Sequence, residues 1–317
     1  MQVVITMGGL GQRFKDLGHS IPKPFISVGD KPVFQHLVNS FSYDWKYFFV
    51  INQHLSELKA EEKLKLLFPD CTVIVCNYST RGPIDTVLTC LPYLNATKSV
   101  LVSYCDYSLI WNPTDFENFV KDHQTDAAII GYQGFHPTYF GPNSYCHLKI
   151  SSNQNPKQTS NLDVADVQEV FDIQEKTLFT SNLETEITSC GAYYFKTANF
   201  LKECLDEQLN QNLNCKGEFY ISLAVKAMMN LQEEERKKQE SRQANTLKIH
   251  YYPVSHFVQF GTPTDIERYQ FWNSVILKKE KPENFKFLYT ETENSPLNFS
   301  DEMFKKEKNY WSKILLR

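Results

Sequence analysis

Gln2-Val3-Val4-Ile5-Thr6-Met7 runs directly into Gly8-Gly9-Leu10-Gly11-Gln12-Arg13-Phe14, and Pro22-Lys23-Pro24-Phe25 follows shortly after. The first six residues read as a short buried strand. Three glycines let a backbone approach a phosphate closely and aim N–H groups at it. Arg13 and Lys23 add positive charge where phosphate oxygens would lie, the lysine held between two prolines. The stretch reads as a cradle for a nucleoside triphosphate. The glycines taken alone fit a tight strand-to-helix turn equally well. No Gly-Lys-Ser/Thr follows, so the Walker A pattern is absent. The dinucleotide fingerprint fits poorly too, because Arg13 and Phe14 occupy the region of its third glycine.

Outward from this stretch, short apolar runs alternate with helical patterns. Strands are expected at 2–7, 47–52, 72–77, 99–105 and 127–132, with helices at 32–42, 55–67, 83–93 and 114–123, the last capped by Thr114. This alternation implies an α/β fold with a mostly parallel sheet covered on both faces. Ligands of such sheets bind beyond the carboxyl ends of the strands. The loop at 8–14 and Asp106 both follow strands and are expected on that edge. The second half reads differently: strands at 145–150, 166–173, 190–196 and 247–254, a polar loop at 151–163, and helices at 198–210, 218–231 and 264–278. The tail from 273 is expected to be helical and to pack on the domain or on another subunit, which leaves a homo-oligomer open. No internal repeat and no clean linker divide the chain.

A net charge of −4 over 317 residues gives no global field for nucleic acid, so an anionic ligand needs a local cationic cluster. No apolar run approaches the length of a membrane span, and residue 1 leads directly into a strand with no basic region or cleavage site. The expected location is cytoplasmic. The eight cysteines include no Cys-x-x-Cys pair, and reduced thiols serving as small hydrophobes are the expected state.

The glycine loop with its arginine, followed by Pro22-Lys23-Pro24, resembles the signature of the sugar-phosphate nucleotidyltransferases, the pyrophosphorylases that make nucleotide-sugars. Later motifs in matching order extend the resemblance over about residues 1–272. It implies a Rossmann-like nucleotidyltransferase fold of the glycosyltransferase-A type with a mixed, mostly parallel central sheet covered by helices, a nucleotide half at about 1–135 and an acceptor half at about 136–272. It also implies transfer from an NTP to a phosphorylated acceptor, a sugar 1-phosphate foremost, with Mg²⁺ as cofactor and surface polysaccharide synthesis as the setting. Gly8, Gly9, Leu10, Gly11 and Gly82 would hold the nucleotide, with Asp85 a weaker candidate. Arg13 and Lys23 would stabilise the phosphates, and Asp106, ending its strand, would bind the metal.

On the acceptor side the resemblance implies Glu175 on a sugar hydroxyl, Lys176 on the acceptor phosphate, Gly191 making room, and Glu218 in Gly217-Glu218-Phe219-Tyr220. Read as residues alone, Glu175-Lys176 fits a solvated charge pair, Gly191 a close-packed strand glycine, and Glu218 a charge at a helix N-terminus. Gly134-Phe135-His136-Pro137 and Tyr145 fall where the acceptor pocket is expected, with His136 reading as a turn residue. The turn Phe260-Gly261-Thr262-Pro263 matches a late family turn, but Gln259 stands where many members carry a second metal-binding aspartate. A glutamine is a neutral and weaker magnesium ligand. That substitution keeps a non-catalytic nucleotide- or sugar-binding regulator in view. A nucleotide-sugar-dependent glycosyltransferase would want Asp-x-Asp, whereas Asp106-Tyr107-Ser108 lacks the second acid.

Overall fold

Alternate residues of the first strand enter opposite halves of the core: Val3, Ile5 and Met7 join one apolar cluster and Val4 the other. The neighbouring strand repeats the pattern, with Tyr47, Phe49 and Ile51 on one face and Phe48 and Val50 on the other. Such continuously apolar strands are stable only when helices cover both faces of the sheet. A computed structural model describes residues 1–9, 11–18, 20–76, 81–141, 143–151, 167–238, 246–278 and 301–317.

The chain runs β1 (Gln2–Met7), α1 (Gln12–Asp16), β2 (Ser27–Val28), β3 (Lys31–Pro32), α2 (Val33–Val38), β4 (Lys46–Asn52), α3 (Gln53–Glu57), α4 (Ala60–Leu67), β5 (Thr72–Cys76) and α5 (Pro83–Cys90). It continues with β6 (Val100–Tyr104), β7 (Tyr107–Ile110), α6 (Pro113–Asp122), β8 (Ala127–Gln133), β9 (Cys146–Ile150), β10 (Gln168–Glu175) and β11 (Ile187–Phe195). The last elements are α7 (Ala198–Asn210), α8 (Ile221–Lys238), β12 (Ile249–Pro253), β13 (His256–Gln259), α9 (Pro263–Leu277) and α10 (Asp301–Leu315). Helices α2, α3, α4 and α6 supply residues to the first cluster, and α5, α7 and α8 to the second.

The main sheet has the order β5-β4-β1-β6-β11-β8-β12-β10-β9. Its first four strands are mutually parallel, β8 pairs β12 in parallel, and the remaining pairings are antiparallel. The sheet is therefore mixed, as expected, but not mostly parallel. The antiparallel pairings come from the second half of the chain: β9 and β10, consecutive in sequence, pair antiparallel, and β11 runs antiparallel to both of its neighbours β6 and β8. Strand β11 inserts between β6 and β8, so the two halves of the chain share one sheet.

Three local expectations change. Helix α6 is capped by Asn112, whose side chain accepts from Thr114 N, with Pro113 at the first helical position. The segment expected as one helix at 55–67 is two, α3 and α4, separated at Lys59, which has φ +57°. Helix α8 starts at Ile221, leaving Glu218 outside it, in an antiparallel bridge with Cys215. The polar loop expected at 151–163 lies, beyond Ser151, outside the described residues.

A third cluster joins distant parts of the chain. Phe14 of α1, Val28 of β2, Phe260, Trp272 of α9 and Trp311 of α10 pack together. Glu307 of α10 is 0% exposed and accepts from both indole N–H groups, Trp272 at 2.8 Å and Trp311 at 3.1 Å, with Arg268 Nε 3.6 Å away. The C-terminal helix thus packs on the domain, behind the glycine-loop helix.

Candidate active site

Strands β1 and β6 run in register, Thr6 opposite Tyr104, so Gly8 and Asp106 each leave the sheet two residues beyond a matched pair. The parallel ladder alone brings loop and carboxylate to one edge. Gly11 caps α1 in the left-handed region at φ +63°, which costs glycine little. A Cβ built on Gly8 would lie 2.7 Å from Thr86 Oγ1, so the loop seats directly on α5. Gly9 is exposed. Leu10 lies outside the described residues.

Lys23 Nζ donates to Asp106 Oδ2 at 2.6 Å, with side chains 20% and 25% exposed. Burial pulls the Lys23 ammonium down, but the Asp106 charge and hydrogen bond outweigh it, and the net direction is up; nearby Arg13 pushes the other way. Arg13 is exposed. The two predicted phosphate ligands and the predicted metal ligand therefore lie together.

The ribbon β7–β13, which the sequence reading did not anticipate, completes this side. Gln259 pairs with Tyr107, and Phe260 N donates to Asp106 O at 2.7 Å. A Cβ on Gly261 would lie 2.6 Å from Gln259 Nε2 and 3.3 Å from Asp106 Oδ2, so both side chains border the same glycine. Gln259 Oε1 is buried and has no hydrogen-bond partner among the described residues. An orphaned amide oxygen beside a carboxylate is a hard-oxygen donor set that fits Mg²⁺. Among the described residues no group of three or more His, Cys, Asp or Glu side chains converges as a metal site.

Asn52 was missed. It ends β4, accepts from Leu55 N at 2.8 Å as the cap of α3, and donates through Nδ2 to Gly8 O at 3.2 Å and Gly9 O at 3.3 Å. An asparagine between a buried strand and a helical pattern is a readable capping signal; its grip on the glycine loop is not. Asp265, in the first turn of α9, forms a capping box with Thr262, and burial raises its carboxyl.

Gly82 has φ +94° and ψ −154°, a region open essentially only to glycine. A Cβ there would lie 3.4 Å from Phe219 N. Phe219 N donates to Arg81 O at 2.8 Å, and Ile84 N to Phe219 O at 3.2 Å. The loop before α5 is thus laced to the turn carrying Glu218. Asp85 is occupied locally, accepting from Arg81 N at 3.1 Å and Arg81 Nε at 2.8 Å.

On the acceptor side, Glu175 ends β10 and accepts from Ser222 Oγ at 2.6 Å. Burial raises its carboxyl to about 7, against the pull of Ser222 and Lys176. Lys176 has φ +58°; its ammonium donates to Tyr220 Oη, lies 4.4 Å from the centre of that ring, and is 3.7 Å from Glu218 Oε2. Tyr220 Oη in turn donates to Glu218. Three of the four predicted acceptor residues, Glu175, Lys176 and Glu218, therefore converge. Gly191 stands apart: it lies at the β11 bulge with φ +85°, and the space it leaves is taken by Tyr104, whose ring would be 2.7 Å from a Cβ. His136 is a buried turn residue, bonded to Thr138 and to Phe257 O, with burial pushing its imidazole down to about 3.

Residues 3–160 match the MobA-like NTP transferase domain family. Mannose-1-phosphate guanyltransferase alpha-A of Xenopus laevis is 25% identical over 213 residues, covering 63% of this chain and 46% of that protein. The mannose-1-phosphate guanylyltransferase regulatory subunit alpha of Xenopus tropicalis is also 25% identical, with the same coverage. The chain thus spans about half the length of the curated relatives it matches. The nucleoside-diphosphate-sugar pyrophosphorylase from Vibrio cholerae RC9 superposes with a TM-score of 0.60 at 19% identity, over 85% of this chain and 99% of that one.

Proposed function

We propose, from the match of residues 3–160 to the MobA-like NTP transferase domain family, that the chain transfers a nucleotidyl group from an NTP to a sugar 1-phosphate, releasing pyrophosphate. The observation that carries this reading is the 2.6 Å Lys23–Asp106 pair beneath the glycine loop, with Arg13 exposed beside it. An acceptor phosphate oxygen attacks the α-phosphorus in line, and pyrophosphate leaves. Such a displacement needs no protein nucleophile, only positioning and neutralised charge.

The residues divide the work. Lys23 leaves Asp106 for the α-phosphate, Arg13 neutralises the departing pyrophosphate, and Asn52 keeps the Gly8 and Gly9 carbonyls occupied and the loop in place. Asp106 and Gln259 would hold a magnesium ion, which when bound supplies neutralisation between the phosphates. Lys176 takes the acceptor phosphate, and Glu175 and Glu218 accept from acceptor hydroxyls. Gly82 would let the base approach the backbone. We extend the reading to a cytoplasmic supply of nucleotide-sugars for surface polysaccharide. No helix among the described residues is long and apolar enough to cross a membrane.

Pyrophosphate release, assayed with the four common NTPs and a panel of sugar 1-phosphates in Mg²⁺, tests the proposal. One pair should turn over well above the rest, and absence of release with every pair overturns it. A second reading has specific support: Gln259 in place of an acid, and a relative named as a regulatory subunit. A non-catalytic binder predicts thermal stabilisation by an NTP or nucleotide-sugar with no pyrophosphate released.

A further inference from the structure

Two residues at the start of α8 reach back to the end of β10. Tyr220 immediately precedes the helix, and its hydroxyl accepts from Lys176 Nζ while donating to Glu218. Its ring lies beneath the same ammonium, with 4.4 Å from nitrogen to ring centre. Ser222, 0% exposed, donates to Glu175 Oε2 at 2.6 Å. Glu175 and the residue after it thus each have a dedicated holder at the N-terminal end of one helix.

The base of this arrangement is itself tied down. Gln208 Nε2 donates to Tyr220 O at 3.0 Å, and Leu223 N donates to the same carbonyl at 3.1 Å. Lys176 N donates to Tyr145 O at 2.7 Å, fixing the backbone from which the ammonium projects. A lysine side chain carries large rotamer freedom, and a free ammonium must lose it on binding phosphate. A ring beneath the nitrogen and an acceptor beside it remove part of that freedom before the ligand arrives.

We infer that Tyr220 and Ser222 form a clamp, Tyr220 positioning the Lys176 ammonium for the acceptor's phosphate and Ser222 positioning the Glu175 carboxylate for the acceptor's hydroxyl. The inference rests on the transferase reading above. Both act through another residue, so they are positioning residues. Glu218 exchanges partners when the acceptor arrives: at 55% side-chain exposure it is free to turn from Tyr220 and Lys176 toward the acceptor.

Steady-state pyrophosphate release by the full chain, with NTP and acceptor varied separately, tests the clamp. Tyr220→Phe keeps the ring and loses the hydroxyl. It should raise the acceptor KM about tenfold, the scale of one charge-assisted hydrogen bond, and leave the NTP KM unchanged. Tyr220→Leu should raise it further. In a Lys176→Met background, Tyr220→Phe should add nothing, since its target is gone.

Ser222→Ala should move the pH dependence of acceptor kcat/KM to higher pH, because it removes a bond that favours the ionised Glu175. The groups facing that carboxyl are Lys176, Glu218, Tyr104, Cys146 and Tyr193. Burial holds the two tyrosines and the cysteine well above neutral titration. An unchanged acceptor KM in Tyr220→Phe, or an unmoved profile in Ser222→Ala, overturns the clamp while the transferase reading stands. A wild-type chain inactive with every NTP and acceptor overturns the reading, and the clamp falls with it.

Discussion

The two halves of the candidate site are assembled by different means. On the nucleotide side, Gly8, Asn52 and Asp106 come from the ends of β1, β4 and β6, three parallel strands in register. The parallel ladder brings these residues to one edge, and Asn52 ties the loop to it. On the proposed acceptor side, Glu175 ends a strand that joins the sheet by antiparallel pairings, Lys176 follows it, and the side chains of Ser222 in α8 and of Tyr220 just before it hold them. The contrast teaches where each half is vulnerable. The first half depends on its charges and on the strand ends that carry them; the second depends on the side chains that hold it.

Lys23→Ala breaks the comparison most severely. Turnover should fall by at least about a hundredfold, the cost of losing one positioned charge at a phosphoryl centre, while folded yield is kept. Kinetics alongside far-ultraviolet circular dichroism check this, and equal losses in both would make Lys23 structural. Glu307→Ala asks whether the nucleotide side rests on the C-terminal helix. It removes the shared acceptor of two buried indole N–H groups in the third cluster, and should cost about 3 kcal/mol in chemical unfolding. Because Phe14 and Phe260 share that cluster, the NTP KM should rise more than the acceptor KM.

Glu175 sharpens the comparison by pH. Its folded value of about 7 lies above the usual 4.5, so the folded state favours the neutral acid. Its stabilising contribution is present below pH 4.5, is lost as pH rises toward 7, and levels off above. Hydroxyl recognition needs the carboxylate, so acceptor kcat/KM should climb through the same window. Glu175→Gln should flatten that component of both profiles, while Lys23 variants retain it. The smallest effect is expected from Gln259→Asp. A second carboxylate beside Asp106 should lower the Mg²⁺ concentration at half-saturation a few-fold, read by calorimetric titration of the metal with nucleotide present. No change would place Gln259 outside the metal site.

Much of the nucleotide side was legible beforehand because its elements are local. An uninterrupted apolar run, glycines, and an aspartate closing the run 99–105 announce themselves within a few residues. The ribbon β7–β13 was invisible for the opposite reason. Its two strands are four residues each and far apart in the chain, and neither carries a periodicity long enough to read. Asn52 offered half a signal, its cap, and hid the other half. Lys59 gave no hint that it would take φ +57° and split one expected helix in two.

The order of residues alone thus settled that this chain builds an α/β sheet with a glycine-rich loop on its carboxyl edge, because strand periodicity and glycine turns are short-range properties. Folding decided the rest: that β11 threads between β6 and β8, that Lys23 meets Asp106, that Tyr220 and Ser222 hold Lys176 and Glu175, and that α10 braces the loop helix. Those are contacts between residues tens to hundreds of positions apart. They follow from which surfaces bury one another, and no local pattern encodes that choice.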